Sequence, residues 1–180
     1  MNTFIALLRG INVSGHNIIK MAELKLLLQN IGLENVITYI QSGNVVFNST
    51  EINENLFEEL ISDKIKETYG YNVKVLVVSK EYLKSVFNNN PLLKDSSIDF
   101  KKLCVTFLKK KPTEEGKEKV YELASKDELL IFKGKTAYIY CPNGFGRTKL
   151  SNNNIEKKLK ISATSRNWNT TTKLVELSNQ

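Results

Sequence analysis

The sequence predicts an α+β protein of two ferredoxin-like halves, each of βαββαβ type, packed into one compact unit. Three observations carry this reading. The opening stretch Phe4 to Leu8 is an unbroken apolar run, which fits a strand buried on both faces rather than one with a wet side. The segments after it follow the order β-α-β-β-α-β, the split βαβ pattern that sets the first strand in mid-sheet. A similar order of elements then begins again near residue 100, without repetition of sequence.

Arg9 ends the first apolar run just before Gly10. A guanidinium at the end of a central strand needs a carboxylate, open water or an anionic ligand, because burying it bare is too costly. A loop over Val13 to Ile19 follows, and then a helix from about Met21 to Ile31. Its apolar face is Met21, Leu24, Leu27, Leu28 and Ile31, and Gly32 is the stop signal. Val36 to Ile40 and Val45 to Phe47 read as strands around Gln41-Ser42-Gly43-Asn44, a hairpin whose Gly and Asn tolerate positive φ. Asn55 to Tyr69 is a helix with Phe57, Ile61, Ile65 and Tyr69 four residues apart, ended by Gly70. Val73 to Val78 is a strand, and Ser79 can cap a short helix after it.

Residues 1–90 thus form the ferredoxin-like N-terminal half. Asn88-Asn89-Asn90-Pro91 and Lys94 to Ser97 are rich in breakers, so residues 91–100 read as a linker. Residues 101–180 read as a basic βαββα-type half with an extra terminal helix. Leu103 to Leu108 is its strand, and Pro112-Thr113 open a helix carrying Val120, Leu123 and Ala124. Leu129 to Phe132 and Ala137 to Cys141 form a hairpin around Lys133-Gly134-Lys135. A glycine loop, Pro142 to Gly146, leads to a helix from about Asn153, where Asn153 and Glu156 have capping-box spacing; a last helix covers Thr171 to Leu177.

At 180 residues, 41% hydrophobic and 25% charged, the composition is that of an ordinary globular protein. No apolar run approaches the ~20 residues that cross a bilayer, and Phe4 to Leu8 is too short for a secretory h-region. A cytoplasmic location with no membrane partner is expected. Cys104 and Cys141 lie far apart in apolar strand contexts and read as reduced core thiols. Neither has metal-ligand spacing, and His16 is the only histidine, so no metal site is expected. The charge is uneven. Residues 1–100 hold 9 Lys+Arg against 11 Asp+Glu, net −2, and residues 101–180 hold 17 against 8, net +9. Such asymmetry suggests attraction to polyanions, against the plainer reading of lysines that keep a surface solvated.

Three stretches carry a family resemblance: Ala6-Leu7-Leu8-Arg9-Gly10-Ile11-Asn12-Val13, Ser42-Gly43-Asn44-Val45-Val46-Phe47 and Ala163-Thr164-Ser165-Arg166-Asn167-Trp168-Asn169-Thr170. With Lys149-Leu150 and Asn153 to Leu159, they resemble the hallmarks of a bacterial family catalogued as domain of unknown function 1697. Thr148 stands where the resemblance leads one to expect Ser, a minor departure. The resemblance implies an α+β protein with ferredoxin-like halves and supplies no activity, substrate or catalytic residue.

The polar residues that the fold leaves over are Arg9, Asn12, Gln41, Ser42, Asn44, Arg147, Lys149, Arg166 and Asn167. The leading expectation is that some of the candidates Arg9, Asn12, Ser42, Asn44, Arg147, Lys149, Arg166 and Asn167 converge on one site between the halves. Arg147 and Lys149 follow a glycine loop beside a helix start, where cations and backbone N–H groups suit a phosphate or carboxylate. Gly144-Phe145-Gly146-Arg147 matches neither the Walker nor the dinucleotide fingerprint, and no cofactor is expected. The competing readings are structural: ion pairs or loop-carbonyl contacts for Arg9 and Arg166, turns and caps for the asparagines, and a core anchor for Trp168. The strand Asn44-Val45-Val46-Phe47-Asn48 lacks the aromatic pattern with which the RNA-recognition fold stacks bases, and Phe4, Tyr39 and Phe47 read as core. The function expected is binding of an anionic small molecule or nucleic acid, between the halves or on the basic C-terminal half. The alternative is an enzyme acting on a small phosphorylated or carboxylated substrate, with His16 as its one proton shuttle, weighed against an exposed loop histidine.

Overall fold

A computed structural model describes residues 1–180. In chain order the elements are β1 (Asn2–Arg9), α1 (Met21–Asn30), β2 (Glu34–Tyr39), β3 (Asn44–Ser49), α2 (Glu54–Tyr69), β4 (Lys74–Ser79) and α3 (Lys80–Asn88). Two 3-10 turns, Pro91–Lys94 and Phe100–Lys102, occupy the connection. Then come β5 (Leu103–Leu108), α4 (Glu114–Tyr121), β6 (Leu129–Lys133), β7 (Thr136–Tyr140), α5 (Asn152–Leu159), β8 (Ala163–Asn167) and α6 (Trp168–Leu177). The fold is α+β with two four-stranded antiparallel sheets, ordered β2-β3-β1-β4 and β6-β7-β5-β8. Each sheet has its first strand inside, as the βαββαβ order requires. Two compact units result: residues 1–85 with 173–180, and residues 86–172.

In the first unit, β1 pairs with β3 and β4, and its residues 4–8 are buried whichever way they point. Phe4, Ala6 and Leu8 face the core that α1 and α2 close with Leu24, Leu28, Phe57, Ile61 and Ile65. Phe4, Phe47 and Phe57 form a ring cluster at its centre, with centroids 4.9 to 5.7 Å apart. Burying a phenylalanine this way contributes roughly 1.5–3 kcal/mol. Asn53 caps α2, accepting from Asn55 and Leu56 N–H groups, and Gly70 ends it at φ 75°.

The second unit has the same order of elements. Cys104 and Leu108 of β5 pack with Val120 of α4 and Ile155 and Leu159 of α5. On the opposite side of the sheet, the buried Tyr138 hydroxyl donates to the Val86 carbonyl at 2.8 Å. Trp168 stacks on Phe87 at 5.0 Å and 2°, and at 4% exposure it is a core anchor.

Four details differ from the sequence reading. The second half contains a fourth strand, β8, where βαββα plus a helix was expected; Ala163 to Asn167 has one aliphatic residue and no apolar alternation, and pairing along β5 makes it a strand. Helix α5 is capped by Ser151, whose Oγ accepts from the Asn154 N–H at 3.3 Å. Asn153 lies within the helix rather than at its cap, and the Glu156 carboxylate accepts from the Ala163 N–H at 2.9 Å. In the first hairpin, Gly43 has φ 78°, but the other left-handed residue is Ile40 at 47°, and Asn44 belongs to β3.

Candidate functional site

The expected polar residues of the first unit gather at one corner, where β1 ends. Gly10, Asn12, Ser14, Gly15 and Asn17 all have positive φ, so the loop 10–19 is a chain of tight reversals. Asn12 ties it down: its Nδ2 donates to the Ile19 and Gln41 carbonyls, both at 2.9 Å, and its Oδ1 accepts from the Ile19 N–H at 2.8 Å. Asn17 Nδ2 donates to the Gly10 carbonyl at 2.9 Å. Asn44 is fully buried and donates to the Tyr39 carbonyl and to Ser42 Oγ at 3.2 and 3.0 Å. Gly43 lies so close to β1 that a Cβ there would meet Leu8 Cβ at 2.7 Å. The family-marking motifs around Arg9 and Ser42 are therefore a single stapled corner. Asn12, Ser42 and Asn44 are all hydrogen-bonded within this corner. Arg9 is half-buried at the rim, and His16 is exposed on the loop.

In the second unit the loop after β7 forms a pocket of about 320 Å³ on the helix-covered side of the sheet. Cys104, Phe145 and Leu150 give it apolar surface, and Ser151, Asn152 and Asn167 give it polar groups. Its polar wall is ordered by a chain of hydrogen bonds. Ser165 Oγ donates to Asn152 Oδ1 at 2.7 Å, which leaves the buried Thr106 hydroxyl to donate to Ser165, also at 2.7 Å. The amide of Asn152 is thereby fixed with its Nδ2 uncommitted. Asn167 Oδ1 accepts from the Thr170 N–H at 2.8 Å, capping α6, so this amide too has its NH₂ to spare. No carboxylate lines the pocket. Arg147 and Lys149 are exposed on the same loop, between lining residues.

Of the eight expected residues, Asn167 lines this pocket and Arg147 and Lys149 flank it in sequence. Arg166 does not belong to it. Its alternation along β8 turns it to the other face, where it is 9% exposed and donates to the Ser165 carbonyl at 2.9 Å. Burial holds its pKa down to about 10. The reading from residues missed Thr106, Ser165 and Asn152; only the pairing of β8 with β5 brings them together. Both cysteines are free and buried. Burial raises the pKa of each thiol, that of Cys141 to about 11. No group of three or more His, Cys, Asp and Glu side chains is placed to hold a metal, and no helix is long and apolar enough to cross a membrane.

The unit-by-unit charge sharpens the asymmetry. The second unit holds 17 Lys+Arg against 9 Asp+Glu, net +8, and the first holds 9 against 10, net −1.

Comparison with known proteins agrees with the fold. The conserved bacterial protein SP0830 from Streptococcus pneumoniae has a similar structure, with a TM-score of 0.71, 27% sequence identity and coverage of 98% of each chain. No curated protein matches the sequence. The family model for a protein of unknown function, DUF1697, matches residues 1–138, which include the first two of the three motifs. The chain belongs to that family, DUF1697.

Proposed function

We propose that the chain is a cytoplasmic binding protein for anions, with the basic second unit as the binding surface and nucleic acid as its ligand. The observation that carries this is the concentration of charge, net +8 in residues 86–172. Lys101, Lys109, Lys110, Lys111, Arg147 and Lys149 in it are all exposed. An unbalanced surface of this kind attracts phosphate backbones and releases their counterions. The pocket beside Arg147 and Lys149 adds spare N–H donors, suited to phosphate or base carbonyl oxygens.

The test is fluorescence anisotropy with mixed-sequence single-stranded DNA and RNA over a range of salt. Binding at low salt should weaken linearly in log affinity against log salt. Replacing Lys109, Lys110 and Lys111 by Ala should flatten that dependence. Affinity no better than that of an uncharged nucleic-acid analogue at low salt would end the proposal.

A further inference from the structure

A second pocket, of about 560 Å³, lies in the first unit, and none of the eight candidate site residues lines it. Its wall includes Lys25 and Gln29, one turn apart on α1, Asn35 on β2, Asn48 on β3, Lys80 at the start of α3, and the segment 177–180.

Three features set it apart from ordinary surface. Lys25 and Lys80 have no side-chain hydrogen bond or ion pair within the protein, whereas Lys20, Lys64, Lys117, Lys119 and Lys173 each pair with a glutamate on or beside their own helix. Two ammonium groups thus share a concavity that no Asp or Glu side chain lines, inside a unit whose net charge is −1. The carboxamides of Gln29, Asn35 and Asn48 are likewise uncommitted. Asn35 reaches its place through the register shift between Glu34 and Ile37, with φ 48°; such bulges re-aim side chains.

We propose that this pocket binds a small molecule bearing a phosphomonoester, held by Lys25 and Lys80 at the phosphate and by Gln29, Asn35 and Asn48 along its polar body. Two compact point charges without an arginine fork match a dianionic phosphate better than a single carboxylate. The volume exceeds what a phosphate fills and suits an organic body of monosaccharide or nucleoside size. Carboxamides both donate and accept, which fits hydroxyls or base edges. The site is independent of the nucleic-acid surface on the second unit.

The experiment is an NMR titration of the ¹⁵N-labelled full chain with glucose 6-phosphate, AMP and inorganic phosphate, with glucose and adenosine as unphosphorylated controls. The phosphorylated probes should shift the side-chain amides of Gln29, Asn35 and Asn48 saturably, and the controls should not. Lys25→Gln and Lys80→Gln should each weaken binding on the order of tenfold, and Lys25→Arg with Lys80→Arg should keep most of it at unchanged melting temperature. The proposal fails if these amides do not shift, if the controls shift them equally, or if folded Gln variants bind as the wild type does. It also fails if the shifts fall only at residues 145–152, a result that would favour the second unit's pocket instead.

Discussion

At the scale of single residues, the corner at the end of β1 is where sequence and structure are most tightly linked. Gly43 must be glycine on two counts, its φ of 78° and the 2.7 Å that a Cβ would have to Leu8. Gly43→Ala should cost about 2–4 kcal/mol in urea unfolding, from backbone strain and overpacking together. Ile40 is the converse, a β-branched, half-exposed residue at φ 47°. Ile40→Asn should stabilise the protein by about 1 kcal/mol in the same assay, since Asn occupies this region far more readily. Gly43 was legible as a turn residue in the sequence. Ile40 was not, because β-branched side chains argue for strand until the hairpin register is known. Cys141 gives a pH signature. Its folded pKa of about 11 lies above the ordinary thiol value of 9.0, so the folded state holds the proton more tightly. That contribution is complete below pH 9 and is lost as pH rises through about 11. Melting temperatures of wild type and Cys141→Ala should therefore converge between those limits, with the wild type falling faster.

At the scale of elements, the helices guard the sheet edges. β4 and β8 are edge strands, whose outward N–H groups would otherwise be open to pairing with another chain. Glu58 and Glu54 of α2 accept from the Val77 and Ser79 N–H groups at 3.0 and 2.9 Å, and Glu156 of α5 does the same for Ala163. The same device thus occurs at the equivalent place in both units. Glu58→Ala should cost about 1–2 kcal/mol by leaving the Val77 donor without its acceptor, while Glu58→Gln, which keeps a carbonyl, should cost less; thermal unfolding of the two variants separates the cases. Most elements were legible to within a residue or two because apolar spacing specified them. β8 was not, since its strand character comes from a partner 59 residues away, as the Thr106–Ser165 contact shows. The pocket in the second unit was illegible for the same reason: β8 supplies two of its polar walls.

At the scale of the whole molecule, one architecture is used twice with opposite electrostatics. The sheets share a strand order, yet only residues 86–172 are strongly basic, net +8. The fold therefore does not demand the charge, and the difference belongs to the surface. For single strands each phosphate contact contributes about 0.7 to the salt slope, so removing Lys109, Lys110 and Lys111 should lower it by at most about 2. A change near zero in the anisotropy titration would place the contacts elsewhere on that unit. The charge division was readable by counting. The pocket around Lys25 and Lys80 was not, because residues drawn from three strands and three helices converge there without any local pattern.

The position of β1 has a consequence for biosynthesis. Ile5 is aligned with Val46 on one side and Val78 on the other, so the first strand of this sheet waits for partners made much later. Until β4 has emerged, Phe4 to Leu8 is a bare sticky segment on a nascent chain. It is the stretch on which a holdase chaperone would be found by crosslinking to stalled translation intermediates, and its protection should appear only once Ser79 has cleared the exit tunnel.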